Sequence, residues 1–157
     1  MNKRGSMARS CLARSFLPGR VAWCALGLLM LAGCESIQTA GLVARGADSY
    51  QQGDPERAIR HFDAALERDP GNFDALNDRA VVFTALGQYD RAIADLDAAI
   101  RRDPARSAPY VNRAKAYDGK GDHARAIADF NEAIRLDPRR AETYNDRGLA
   151  LANAGRI

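Results

Sequence analysis

The stretch Ala58-Ile59-Arg60-His61-Phe62-Asp63-Ala64-Ala65-Leu66-Glu67-Arg68-Asp69-Pro70 returns 34 residues later as Ala92-Ile93-Ala94-Asp95-Leu96-Asp97-Ala98-Ala99-Ile100-Arg101-Arg102-Asp103-Pro104. It returns once more, at the same interval, ending in Asp137-Pro138. The apolar residues of the first copy, Ala58, Ile59, Phe62, Ala65 and Leu66, recur at the three- and four-residue spacing that gathers side chains on one face of a helix. The Asp-Pro pair ends that helix, because proline lacks an N–H and steers the residue before it away from helical angles. Aligned on the prolines, the chain divides into units 39–72, 73–106 and 107–140 and a partial unit 141–157, with no insertion.

Working outward within a unit, the fifteenth residue is always glycine: Gly53, Gly87, Gly121 and Gly155. A glycine there closes a first helix in a left-handed conformation and lets the chain turn back. The spacing therefore predicts seven helices, at 39–52, 54–68, 73–86, 89–102, 107–120, 123–136 and 141–154. Small residues stand at position 8 (Gly46, Ala80, Ala114, Gly148), position 20 (Ala58, Ala92, Ala126) and position 27 (Ala65, Ala99, Ala133), so paired helices can approach closely. Larger residues fill the remaining gaps: Ile59, Ile93 and Ile127 at position 21, Phe62, Leu96 and Phe130 at position 24, and Leu66, Ile100 and Ile134 at position 28. Position 7 is arginine in every unit, and position 23 is aspartate in the two central ones, which predicts ion pairs Arg79–Asp95 and Arg113–Asp129 between antiparallel helices.

Small residues at 8, 20 and 27 with proline at 32 make a pattern that resembles the tetratricopeptide repeat (TPR), over residues 39–157. The resemblance implies an all-α solenoid of 34-residue helix-turn-helix repeats in a right-handed superhelix, three full repeats plus a C-terminal helix laid over the third. Such units bury their apolar faces only against neighbours, so about three are needed for stability. Repeat 1 departs most, with Arg45 and Ser49 where larger apolar residues are usual, as terminal repeats commonly do.

The resemblance also implies that first helices line a concave surface, with positions 2, 5, 9, 12 and 13 pointing into it. These include Tyr50, Asp74, Asn77, Thr84, Lys115, Asp118, Asn145 and Asn153. Asn77, Lys115 and Asn145 are candidates to bind the backbone or an acidic group of an extended peptide. Only Lys115 is cationic, so the basic-and-asparagine clamp with which chaperone-binding relatives hold a C-terminal carboxylate is not reproduced.

Upstream of the repeats, residues 1–33 hold five basic and no acidic residues, and Val21 to Ala32 form an apolar run. A twelve-residue helix rises about 18 Å against a hydrocarbon core of about 30 Å, which predicts a secretory signal rather than a membrane span. The run closes on Leu31-Ala32-Gly33-Cys34, which resembles the lipobox of bacterial lipoproteins. That resemblance implies cleavage before Cys34, a diacylglycerol thioether on its sulfur and N-acylation (palmitate-type lipid), with 34–38 as a short tether. Two or three acyl chains anchor stably where one does not. Glu35 rather than aspartate follows the cysteine, which by the same resemblance directs the protein to the periplasmic face of the outer rather than the inner membrane. The basic segment is long, so Met7 competes with Met1 as the start.

From Cys34 onward, 18 basic residues stand against 20 acidic ones, a formal charge of about −2 that offers no basic face for nucleic acid. Cys34 is the only cysteine past the leader, so no intramolecular disulfide forms there. His61 and His123 lie on different repeats as surface histidines, no metal site or cofactor is expected, and Asp95 and Asp97, two apart on a helix, read as solvated carboxylates on different faces. No phosphate loop or nucleophile elbow is present, so no catalytic residue is named. The expectation is a membrane-anchored adaptor of the bacterial envelope, serving pilus or secretion assembly or the control of cell-wall enzymes. It takes proteins as partners, not nucleic acids or small substrates. Two alternatives fit the same residues: an interaction module cut from a longer envelope enzyme or assembly subunit, and a cytoplasmic repeat protein with a misread N-terminus.

Overall fold

The computed structural model describes residues 37–155, which contain seven helices and no strand. They are α1 (37–51), α2 (Pro55–Arg68), α3 (Phe73–Ala85), α4 (Tyr89–Arg102), α5 (Ala108–Gly119), α6 (His123–Leu136) and α7 (Ala141–Asn153). The expected signal peptide and Cys34 lie outside the described residues. Ile37 and Gln38, expected in the tether, are already helical, and Gln38 Oε1 accepts a 2.9 Å hydrogen bond from Arg68 Nη1 on α2.

Each helix end follows from local chemistry. Gly53, Gly87, Gly121 and Gly155 all adopt positive φ, 66–86°, open to glycine at no steric cost. The residue after each of the first three glycines donates its N–H back over the turn, to the carbonyls of Ser49, Phe83 and Tyr117, which satisfies carbonyls the helix has left unpaired. Asp54, Asn72 and Asp122 cap α2, α3 and α6 by accepting from the backbone N–H three residues on. The Asp-Pro aspartates are extended at φ of −133 to −145°, and each carboxylate accepts a backbone N–H two residues later, at Gly71, Ala105 and Arg139. Aspartate thus shapes the loop that proline opens. Tyr110 and Tyr144, at position 4, donate their hydroxyls to the carbonyls of Pro104 and Pro138 and pin each loop to the next first helix.

Consecutive helices pack along the chain, and the first helices α3, α5 and α7 also touch one another, whereas α2, α4 and α6 do not. First helices therefore form the inner row of a curved stack and second helices the outer row. The small residues at positions 20 and 27, and at position 8 of the two central repeats, are almost fully excluded from solvent, with Phe62, Phe83, Leu96 and Phe130 between them. Ile59 and Ile93 each touch two of the three core clusters and join successive repeats. In repeat 1 the glycine at position 8 is a packing requirement: a Cβ on Gly46 would lie 2.5 Å from the buried Phe62 ring.

The position-7 arginines do more than the sequence predicts. Arg79 forks onto Asp95, with Nε to Oδ2 at 2.8 Å and Nη2 to Oδ1 at 2.7 Å, and its Nη1 reaches Asp63 of the preceding repeat at 2.6 Å. Arg113 repeats this, forking onto Asp129 at 2.7 and 2.8 Å and reaching back to Asp97 at 2.6 Å. Both expected pairs are present, and Asp97, expected to be solvated, is the inter-repeat partner. Asp95 and Asp97 do face different ways, but each faces an arginine. Hydrogen bonding to Asp129, opposed by burial and joined by Asp97, holds the Arg113 guanidinium above its usual range. For Arg79 burial works against the charge, and the bonds to Asp95 and Asp63 outweigh it. At the last step Arg147 meets the neutral Asn131 instead, at 2.8 Å.

Candidate functional site

The inner row presents positions 2, 5, 6, 9, 12 and 13 of α1, α3, α5 and α7. Position 6 of a first helix meets the helix before it across the floor: Asp78 lines a cleft with Ala47, Asn112 donates to Asn77 at 2.9 Å, and Asp146 pairs with Lys115 at 3.0 Å. Sequence reading missed the position-6 row of Asp78, Asn112 and Asp146, although its 34-residue recurrence of short polar residues was visible.

The predicted residues divide into several groups. Tyr50 lies half-buried in a cleft of about 190 Å³ with Ala47, Asp78 and Val81. Asp74 is exposed and pairs with Arg106 at 3.3 Å. Asn77 is held from two sides, donating to Asp78 Oδ1 at 3.0 Å and accepting from Asn112 at 2.9 Å. Thr84 donates its hydroxyl to the Ala80 carbonyl of its own helix. Lys115 is engaged by Asp146, and Asp118 accepts from Asn153 at 3.1 Å while sitting 2.6 Å from His123 Nδ1. Asn145 is exposed on α7, and Leu149 beside it is 57% exposed. Asn77, Lys115 and Asn145 thus do not converge as three free donors, because two of them are spent on neighbouring helices. His123, read as a surface histidine, is half-buried and tied to the inner row.

Asp78 is the outlier. It lines both the Tyr50 cleft and a larger one of about 660 Å³ formed by α1, the Pro70 turn and α3, with Ala40, Val43 and Ala44 as apolar wall. Burial raises its carboxyl above the ordinary aspartate range and nearby Asp74 adds to that, while the bond from Asn77 and the charge of Arg106 oppose it. Among the described residues no group of three His, Cys, Asp or Glu side chains is placed to hold a metal ion, and no helix is long and apolar enough to cross a membrane.

A curved stack of helical hairpins, with a groove on its inner row and loops on its edges, defines an α-solenoid of the protein-recognition type. Residues 43–107 match the tetratricopeptide repeat and residues 119–155 match the TPR repeat. This chain carries a tetratricopeptide-repeat α-solenoid. No curated protein matches it. Among solved structures it is similar to MamA of Desulfovibrio magneticus RS-1 (26% identity, TM-score 0.70, 75% of this chain and 67% of that one). It is also similar to the second TPR domain of human RPAP3 in complex with an HSP70 peptide (23%, TM-score 0.70, 74% and 97%). An O-GlcNAc transferase of Thermobaculum terrenum aligns at 21% identity and TM-score 0.72 over 74% of this chain, which spans only 22% of that enzyme. The fold makes this chain a protein–protein interaction module.

Proposed function

We propose that this chain is a membrane-tethered adaptor of the bacterial cell envelope: exported, cleaved before Cys34, lipid-anchored through that sulfur, and binding a partner protein along the inner row of its solenoid. The observation that carries the binding half is the groove itself, which combines an apolar wall at Val43 and Ala47 with polar groups at Asp74 and Asp78. Mixed walls of this kind suit an extended segment or a helix presented by another protein. The anchoring half rests on Leu31-Ala32-Gly33-Cys34 after an apolar run. Only Glu35 and Ser36 separate Cys34 from the described part of α1, a reach of about 7 Å when extended, so anchoring sets the repeats against the bilayer surface. Ile37, on the first described turn, is 74% exposed and would be available to the bilayer surface. Pilus or secretion assembly and control of cell-wall enzymes are the roles that an outer-membrane adaptor of this build would serve.

The test is chemical and cellular. Labelled palmitate is expected to enter the wild-type chain, and globomycin, which blocks the lipoprotein signal peptidase, to make its precursor accumulate. Cys34→Ala is expected to abolish the label and move the repeats out of the membrane fraction. Membrane recovery of Cys34→Ala at full yield, without label in the wild type, would remove the anchor from this account.

A further inference from the structure

We infer that the cleft between α1 and α3 takes a cationic side chain, a lysine or arginine of an extended partner segment whose flanking apolar residues rest on Val43 and Ala47. The inference rests on the groove-binding reading above and specifies the chemistry of its occupant.

Charge complementarity carries it. At positions 2, 5, 6, 9, 12 and 13 of the four first helices stand five carboxylates, Asp74, Asp78, Asp118, Glu142 and Asp146, and a single cation, Lys115. Four of the five meet a basic side chain: Asp74 meets Arg106, Asp118 meets His123, Glu142 meets Arg140 at 3.4 Å, and Asp146 meets Lys115. Asp78 does not. Its bonded neighbour is the neutral amide of Asn77, and among the described residues no cation forms a salt bridge with it. It is also the carboxylate shared by both clefts of the α1–α3 groove, whose walls combine Val43, Ala47 and Tyr50 with the carboxylates Asp69 and Asp74 and one cation, Arg68, which donates to Gln38. A half-buried carboxylate with no cation bonded to it, attracted from a distance only by Arg106, which is paired with Asp74, is a cost to the fold that a partner ammonium or guanidinium would reduce on arrival. The groove is of a size to hold one long side chain and its neighbours. An acidic tail, by contrast, would meet Asp74 and Asp78 directly.

Fluorescein-labelled acetyl-Gly-Leu-Lys-Val-Arg-Leu-Gly-amide, titrated with the purified full chain, is expected to bind at least about tenfold more tightly than the same peptide with glutamate at both basic positions. Affinity should fall as salt rises from about 0.05 M to about 0.5 M. Asp78→Asn keeps the shape and is expected to weaken the cationic peptide about fivefold or more, whereas Glu67→Gln on the outer row leaves it unchanged. The same Asp78→Asn change should not lower the melting temperature at neutral pH. The raised carboxyl means that the native state holds its proton more tightly than the unfolded chain, so ionised Asp78 opposes folding above its raised pKa. Lower stability together with weaker binding would mark a structural residue and overturn the inference. Equal or tighter binding of the glutamate peptide would overturn it while leaving the groove as a binding site. If neither peptide binds and the chain instead dimerises through this face, both readings fall.

Discussion

Arg113→Ala is expected to cost roughly 2 to 4 kcal/mol, a loss readable as a fall in melting temperature of about 8 to 15 °C. Exposed ion pairs are worth about 0 to 1 kcal/mol, and three features set Arg113 apart. Its side chain is 20% exposed and that of Asp129 only 11%. The two are joined by a two-point fork, which is shorter and stronger than a single contact. The third nitrogen holds Asp97, so the same guanidinium closes its own repeat and ties it to the one before. Truncating the arginine strands a mostly buried carboxylate, and this orphan supplies much of the cost. Arg113→Ala with Asp129→Ala should therefore be no less stable than Arg113→Ala alone. Strictly additive losses would show that the groups do not interact and would remove the ladder as a stabilising element.

Phe130→Ala is expected to cost about 3 to 5 kcal/mol. The ring is 2% exposed and sits in one cluster with Val111, Ala114 and Tyr117 of α5, Ala126 and Ala133 of its own helix, and Ala150 of α7. Its neighbours are mostly alanines, whose short side chains cannot lean into the space it would vacate. In a linear stack stability is the sum of repeat and interface contributions, so this loss falls on the C-terminal end. Hydrogen exchange should show α5, α6 and α7 losing protection while α2 and α3 keep theirs, with the denaturation midpoint lowered. A uniform loss of protection along all helices would indicate a single cooperative core rather than a solenoid.

Much of this architecture is legible in the sequence, because each repeat states the same instructions three times. Glycine at position 15 and Asp-Pro at positions 31 and 32 place every described helix end within about two residues of where the structure puts it. The core stripe was equally clear, since alanine at 20 and 27 admits only close helix packing. Asp63 and Asp97 were harder to assign, because the step from one repeat to the next is not written in a single helix. Only the superhelical offset brings position 25 of one repeat beneath the arginine of its successor. The row Asp63, Asp97, Asn131 was nevertheless a signal, recurring at 34 residues with acceptors throughout.

The groove was less legible than the fold. Positions 2, 5, 9, 12 and 13 gave the right face, but they could not show that Lys115 is spent on Asp146, Asn77 on Asn112 and Asp78, or Thr84 on its own helix. These are contacts between neighbouring first helices, or back to the backbone, and they decide which polar groups remain available. The sequence therefore suggested three donors for the backbone or an acidic group of a peptide, whereas the basic occupant proposed above is argued from contacts that only the folded inner row makes.

The claim on which the function rests is that the inner row holds a partner protein. A photoreactive benzophenone residue in place of Val81, half-buried in the α1–α3 groove, tests it in intact cells against the same residue in place of the exposed outer-row Arg101. Irradiation is expected to give a discrete crosslinked protein from position 81 and none from position 101. Adducts only from position 101, or the same adducts from both, would place recognition outside the groove and contradict the account.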